Sequence, residues 1–189
     1  GKRYLDALAG VAVNALGHSH PGFIKPLTQQ LATLMHTSNH YEIPLQTQLA
    51  ETLCTHTGME RVFFCNSGTE SIEAAIKIAR KYGHNKGVQL PHILVTEGSF
   101  HGRTMGSLTA THSAKYQEGF GPLLDGFVRV PFNDVAAVKA AIAATPQLVA
   151  VLVEPITGEG GESYLRTGDL DPRQWVSLKS SRGALTAAS

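Results

Sequence analysis

Three polar stretches hold the residues able to do chemistry: Asn66-Ser-Gly-Thr-Glu70, Ser99-Phe-His-Gly-Arg-Thr104, and Glu154 to Gly161. In the first, Ser67-Gly68-Thr69 stands between an apolar run, Arg61-Val-Phe-Phe-Cys65, and an amphipathic run that follows it. A helix start leaves backbone N–H groups unpaired and carries partial positive charge, so it attracts anions. Gly68 lets a ligand approach the backbone, and Ser67 and Thr69 add hydroxyls, which makes a phosphate the natural guest. The same pattern also describes an ordinary capped helix after a strand. In the second stretch, Phe100 offers a face on which a planar ring can stack, or else belongs to the core, with His101 beside it merely solvated. Arg103 either receives a carboxylate through two parallel hydrogen bonds or sits on the surface. Glu159 lies in a glycine-rich loop, Gly158-Glu-Gly-Gly161, which has no core-building role and is either functional or a linker.

The elements that must position these groups follow from periodicity. Val62 to Cys65 is apolar and β-prone. Ile72, Ala75, Ile76 and Ala79 then recur at helical spacing, with Ser67 and Glu70 in a capping-box pattern. Glu73 precedes Lys77 by four, a favourable helix pair, and Gly83 is placed to supply a left-handed exit. Upstream, Tyr4 to Asn14 reads as one or two short strands. Leu27, Leu31, Leu34 and Met35 share a helix face, and Pro44 opens a further helix that Gly58 ends. Downstream, His92 to Thr96 and Phe127 to Phe132 read as strands, and Asn133-Asp134 caps a helix with an inner face of Val135, Val138 and Ile142. Leu148 to Val153 is uninterruptedly apolar, as in a parallel strand covered on both faces. Strands alternating with helices predict an α/β fold with a mostly parallel sheet and flanking helices, α/β/α in three layers. Ligands of such sheets sit beyond the carboxyl ends of the strands, and the three polar stretches all fall there.

Composition narrows the class. The 189 residues suffice for one ordinary domain, and 42% hydrophobic with 16% charged residues is typical of a globular protein. A net charge of +1 implies no nucleic-acid or membrane partner. Cys54 and Cys65 form no CxxC pair, as expected for a reducing, cytoplasmic compartment. There is no apolar run of membrane-spanning length. Among nine histidines, His18/His20 and His36/His40 have ligand-like spacing but lack further converging ligands, so no metal site is expected.

The motifs, taken together, carry a resemblance. Gly17-His-x-His-Pro21, His36-Thr-Ser-Asn39, Phe63-Phe-Cys-Asn-Ser-Gly-Thr-Glu70, Ser99-Phe-His-Gly-Arg-Thr104, Val130-Pro-Phe-Asn133 and Val153-Glu-Pro-Ile-Thr-Gly-Glu-Gly-Gly161 occur in the order found in the class III aminotransferases. That family consists of pyridoxal-phosphate (PLP) enzymes of fold type I, and the combination looks most like its acetylornithine branch. The resemblance implies PLP as cofactor, held by Ser67, Gly68, Thr69, Phe100 and His101, with Gly68 and Thr69 in the phosphate turn and Phe100 stacked on the pyridine ring. It implies Arg103 and Glu159 as substrate-binding residues and Glu154 as a structural acid near the cofactor. The implied reaction moves an amino group from N-acetylornithine to 2-oxoglutarate in arginine biosynthesis. Ornithine or succinylornithine is the alternative donor, and a homodimer the implied assembly.

Departures from the pattern set further expectations. The resemblance begins inside the family's N-terminal region, and motif by motif it ends at Gly161. Residues 1–41 then read as part of a small domain with a connecting helix, 42–161 as a partial PLP-binding large domain, and 162–189 as a divergent, poorly ordered tail. The family's Schiff-base lysine has no counterpart here, because Lys179 stands among serines in a different context. The chain therefore reads as a piece of an aminotransferase that is inactive by itself. A non-catalytic fragment or pseudoenzyme, surviving as an assembly module, is the reading from another class.

Overall fold

The computed structural model describes residues 1–159, 161 and 163–164. Apart from Ser163 and Tyr164, the expected divergent tail, Lys179 included, lies outside the described residues. The chain divides into two compact units, Gly1–Leu49 and the part from Ala50 onward.

In the first unit, Tyr4 to Asn14 forms no strand. It contains a short helical turn, α1 (Ala9–Ala12), where Ala9, Gly10 and Val11 take φ of 50°, 67° and 61°. Consecutive left-handed residues cannot lie in an extended ladder, so this expectation fails on backbone conformation. Asp6 accepts from the N–H groups of Leu8 and Ala9 and pairs with His18 Nε2 at 2.7 Å. The Ala9 bond, then His18, holds its carboxyl below the usual range. Helix α2 (Pro21–Thr33) begins with Pro at its first position, where a missing N–H costs nothing. It ends before Leu34, whose extended backbone takes Leu34 and Met35 out of the face predicted for them. Helix α3 (Pro44–Thr57), which begins in the first unit and ends in the second, starts and stops as expected, with Gly58 at φ 70° closing it.

In the second unit the core is built on β1 (His92–Thr96). It lies between β2 (Phe127–Val130) and β3 (Leu148–Leu152) in an all-parallel sheet of order β2-β1-β3. Ile93, Leu94 and Val95 are buried, as a central parallel strand requires. Helix α4 (Gly68–Asn85) lays Ile72, Ile76 and Ala79 against Ile93, Val95 and Ala110, with Phe127, Ala150 and Leu152 at the margin. The connection after β1 carries α5 (Met105–Ala110) and α6 (Ala114–Gln117). Helix α7 (Val135–Ala144) is capped by Asp134, whose carboxylate accepts from Ala137 N–H at 2.8 Å. A small antiparallel pair, β4 (Ile156–Thr157) and β5 (Ser163–Tyr164), follows.

Several expectations are corrected here. Val62 to Cys65 is not a strand of this sheet. It alternates between half-buried and exposed positions, but no described strand runs beside it, and a strand exists only through its ladder partner. Residues Leu148–Leu152 are half-covered rather than enclosed, with Val151 at 49% exposure, because β3 is an edge of the described sheet. On α7 it is Ala137, Val138 and Ala141 that turn inward, while Val135 and Ile142 face out. Gly83 is no left-handed exit. It is buried inside α4, where a Cβ would meet Pro91 at 2.7 Å and Val149 at 2.9 Å, so α4 passes too close to Pro91 and β3 there to leave room for a side chain. The exit falls to Gly87, at φ 82°.

Candidate active site

The site grows from the start of α4. Ser67 has extended backbone and its Oγ accepts from Glu70 N–H at 3.4 Å, while Glu70 Oε2 reaches back to Asn66 N–H at 2.5 Å. The capping box forms, with its return bond one residue earlier than the usual partner. These bonds leave the N–H groups of Gly68 and Thr69 without a partner among the described residues, at the positive end of an 18-residue helix.

A cluster of hydroxyls fastens this turn to the loop beyond β1. Thr69 Oγ1 lies 2.7 Å from Ser107 Oγ and 3.1 Å from Thr104 Oγ1. Glu73 turns away from Lys77, its expected helix partner, and accepts from Ser107 N–H at 3.0 Å and from the Thr104 hydroxyl. A carboxylate can only accept, so Thr104 spends its proton on Glu73. Thr69 either donates to Ser107 or Thr104 or accepts from Ser107, and in each case its hydroxyl is tied to that loop. Its hydroxyl thus braces the start of α4 against the loop beyond β1. Gly102 passes so close, at φ 121°, that a Cβ would meet Thr69 Oγ1 at 2.2 Å.

The second stretch is anchored from β3. Glu154 Oε2 accepts the Phe100 N–H at 2.8 Å and Glu154 Oε1 the Gly158 N–H at 3.4 Å. All three polar stretches therefore meet beyond the carboxyl ends of β1 and β3. The half-buried Phe100 ring lines an open cleft with Glu97, His112, Tyr116, Phe132 and Glu159. Ser67, Gly68, Thr69 and Arg103 do not line that cleft. Phe100 meets Tyr116 edge to face at 5.8 Å between centroids. The guanidinium of Arg103 lies over the Tyr116 ring at 4.6 Å, and Tyr116 OH donates to Glu159 Oε2 at 3.1 Å.

His101 is buried, not solvated. It is 5% exposed, and its Nε2 has no hydrogen-bond partner. Burial, with the nearby Arg129 charge adding to it, pulls its pKa down to about 4 and keeps the imidazole neutral at pH 7. Arg129 itself reaches the carbonyl oxygens of Thr96, Thr109, Ala110 and Thr111, tying the end of α5 to β1. Burial lowers its pKa, partly opposed by Glu97.

Tyr116, Glu73, Ser107 and Arg129 were missed in the sequence because each acts across long separations. Tyr116 sits in a short polar helix with no periodic signal, and Glu73 is sequentially indistinguishable from any surface helix acid. Among the described residues, no group of three or more His, Cys, Asp or Glu side chains is placed to hold a metal. No helix among them is long and apolar enough to cross a membrane.

The parallel sheet, with the helix start and the aromatic loop at its carboxyl edge, is an α/β architecture whose structural neighbours are fold type I PLP aminotransferases, and sequence comparison agrees. The aminotransferase class-III family matches residues 1–168, and the chain belongs to that family. The match runs past Gly161, where the motif resemblance ends. The chain is 56% identical over 164 residues to the acetylornithine aminotransferase of Nitrosomonas europaea, covering 87% of this chain and 42% of that protein. Acetylornithine aminotransferase 1 of Bordetella parapertussis is 51% identical over 85% of this chain and 41% of its own length. Among solved structures, an ornithine aminotransferase from Toxoplasma gondii superposes with a TM-score of 0.85 at 30% identity, over 98% of this chain and 44% of that one. That structure has PLP at partial occupancy in its active site. The fold is type I, and class III aminotransferases are PLP-dependent transferases. The chain spans about two fifths of the length of these curated relatives.

Proposed function

We propose that the whole protein is a PLP-dependent transaminase that transfers the amino group of N-acetylornithine to 2-oxoglutarate, working as a cytoplasmic homodimer in arginine biosynthesis. The observation that carries this reading is the pair of unpaired N–H groups at Gly68 and Thr69, fastened through Thr69 to the loop that bears Phe100 and Arg103. A phosphate fits that pair, since donors and helix dipole point the same way. A planar ring fits the Phe100 side of the cleft, whose backbone Glu154 fixes. When bound, PLP supplies an electron sink that makes the C–H beside the substrate amino group acidic. Gly68 and Thr69 hold the phosphate, Phe100 orients the ring, and Arg103 receives a substrate carboxylate. Neutral His101 backs the Phe100 loop without adding charge. No residue of this chain is assigned the anchoring lysine, so turnover is expected of the whole protein and not of these 189 residues by themselves.

The acetylated donor is preferred over ornithine because the curated relatives most similar in sequence carry the acetylornithine name. The test is Arg103→Ala in the whole protein. Losing a charged carboxylate contact of about 1.5–3 kcal/mol raises KM for N-acetylornithine by roughly ten- to a hundredfold, with the bound-cofactor spectrum kept. An unchanged KM would make Arg103 a surface residue and remove the acetylornithine assignment.

A further inference from the structure

Tyr116 is contacted on three sides. Its ring lies under the Arg103 guanidinium at 4.6 Å, its edge contact with Phe100 spans 5.8 Å at 76°, and its hydroxyl donates to Glu159 Oε2 at 3.1 Å. Among the described residues neither Arg103 nor Glu159 makes an ion pair, although both are held by the same side chain. A carboxylate that reaches a guanidinium closes onto it in a two-pronged pair. Here the carboxylate is taken by the phenol and the cation by the ring face, so the donor fork of Arg103 stays open.

We propose that Tyr116 is a positioning residue for the substrate carboxylate: its ring holds Arg103 in place, and its hydroxyl keeps Glu159 from occupying the Arg103 fork. This rests on the reading of Arg103 as the carboxylate receptor. A phenylalanine at this position would support the guanidinium equally well but would release Glu159. Glu159 would then compete with substrate for the same donors, and the defect would lie in carboxylate binding and not in the chemical step. A tyrosine that merely packs against Phe100 would give no such dependence on Glu159.

The experiment uses the whole protein with its cofactor, and reads KM and kcat for N-acetylornithine together with the calorimetric affinity for glutarate, an unreactive dicarboxylate. Tyr116→Phe is expected to raise KM and weaken glutarate by about two- to fivefold, the scale of one exposed charged contact, with kcat unchanged within the error of the assay. Adding Tyr116→Phe to Glu159→Gln is expected to change neither value further, because an amide no longer competes. Tyr116→Leu, which removes the ring, is expected to weaken glutarate whether or not Glu159 is replaced. If Tyr116→Phe leaves KM and glutarate affinity at parental values, or if its defect persists in the Glu159→Gln background, the proposal is overturned. The Arg103→Ala variant separates the two layers. Weakened glutarate in Arg103→Ala with an unaffected Tyr116→Phe overturns the Tyr116 role alone. Unchanged glutarate in Arg103→Ala overturns the carboxylate reading of Arg103 and this proposal with it.

Discussion

Glu154, two residues beyond β3, accepts the backbone N–H of Phe100 at 2.8 Å, so the end of one strand fixes the loop that leaves its neighbour. The bond joins residues far apart in sequence and sets where the Phe100 ring stands over the cleft. A charged acceptor is the stronger choice for that task, since hydrogen bonds to an ionised group contribute about 1.5–3 kcal/mol.

Replacing Glu154 with Gln keeps the shape and removes the charge. Titrating PLP into the cofactor-free whole protein is expected to show affinity weakened by about tenfold, through loss of ring placement. Parental affinity would mean that the loop is fixed by other contacts, among them the His101 N–H bond to Thr111 Oγ1.

Thr69 gives a prediction of the opposite kind. Its hydroxyl lies 2.7 Å from Ser107 Oγ and 3.1 Å from Thr104 Oγ1 and is expected to brace the loop, so that Thr69→Val changes PLP affinity by less than about threefold while lowering stability by roughly 1–2 kcal/mol. Equilibrium titration and thermal unfolding measured on the same variant decide it. A large loss of affinity with an unchanged melting temperature would return the hydroxyl to the phosphate.

What the sequence carried and what it hid differ for physical reasons. The start of α4 was legible because capping, periodicity and a glycine all act within a few residues of each other. The central strand His92–Thr96 was legible from its apolar, β-branched run. Val62 to Cys65 has the same local chemistry as a strand, yet its partner is a tertiary matter that local pattern cannot report. Gly83 shows the same limit: whether a glycine ends a helix or lets Pro91 and Val149 approach depends on what lies opposite. Arg103 and Glu159 stand out one by one in the sequence, but their shared attachment to Tyr116 required the fold.

His101 sets a pH dependence. Its pKa is about 4 in the folded protein against an ordinary 6.5. Between those values the unfolded chain binds a proton that the folded chain refuses. Stability from this group is therefore complete above about pH 6.5 and falls as pH drops toward 4, by at most roughly 3 kcal/mol. Thermal unfolding of the whole protein and of His101→Gln, between pH 7 and pH 4.5, is expected to show a shallower decline in the variant. Parallel curves would show that His101 titrates normally.

The most direct measurement is glutamate formed from 2-oxoglutarate by the purified whole protein, with N-acetylornithine and ornithine supplied in turn as donor. The account predicts PLP-dependent glutamate formation with a higher kcat/KM for N-acetylornithine, and a raised KM for that donor in Arg103→Ala. Glutamate formed equally well from both donors, or from neither, would contradict it.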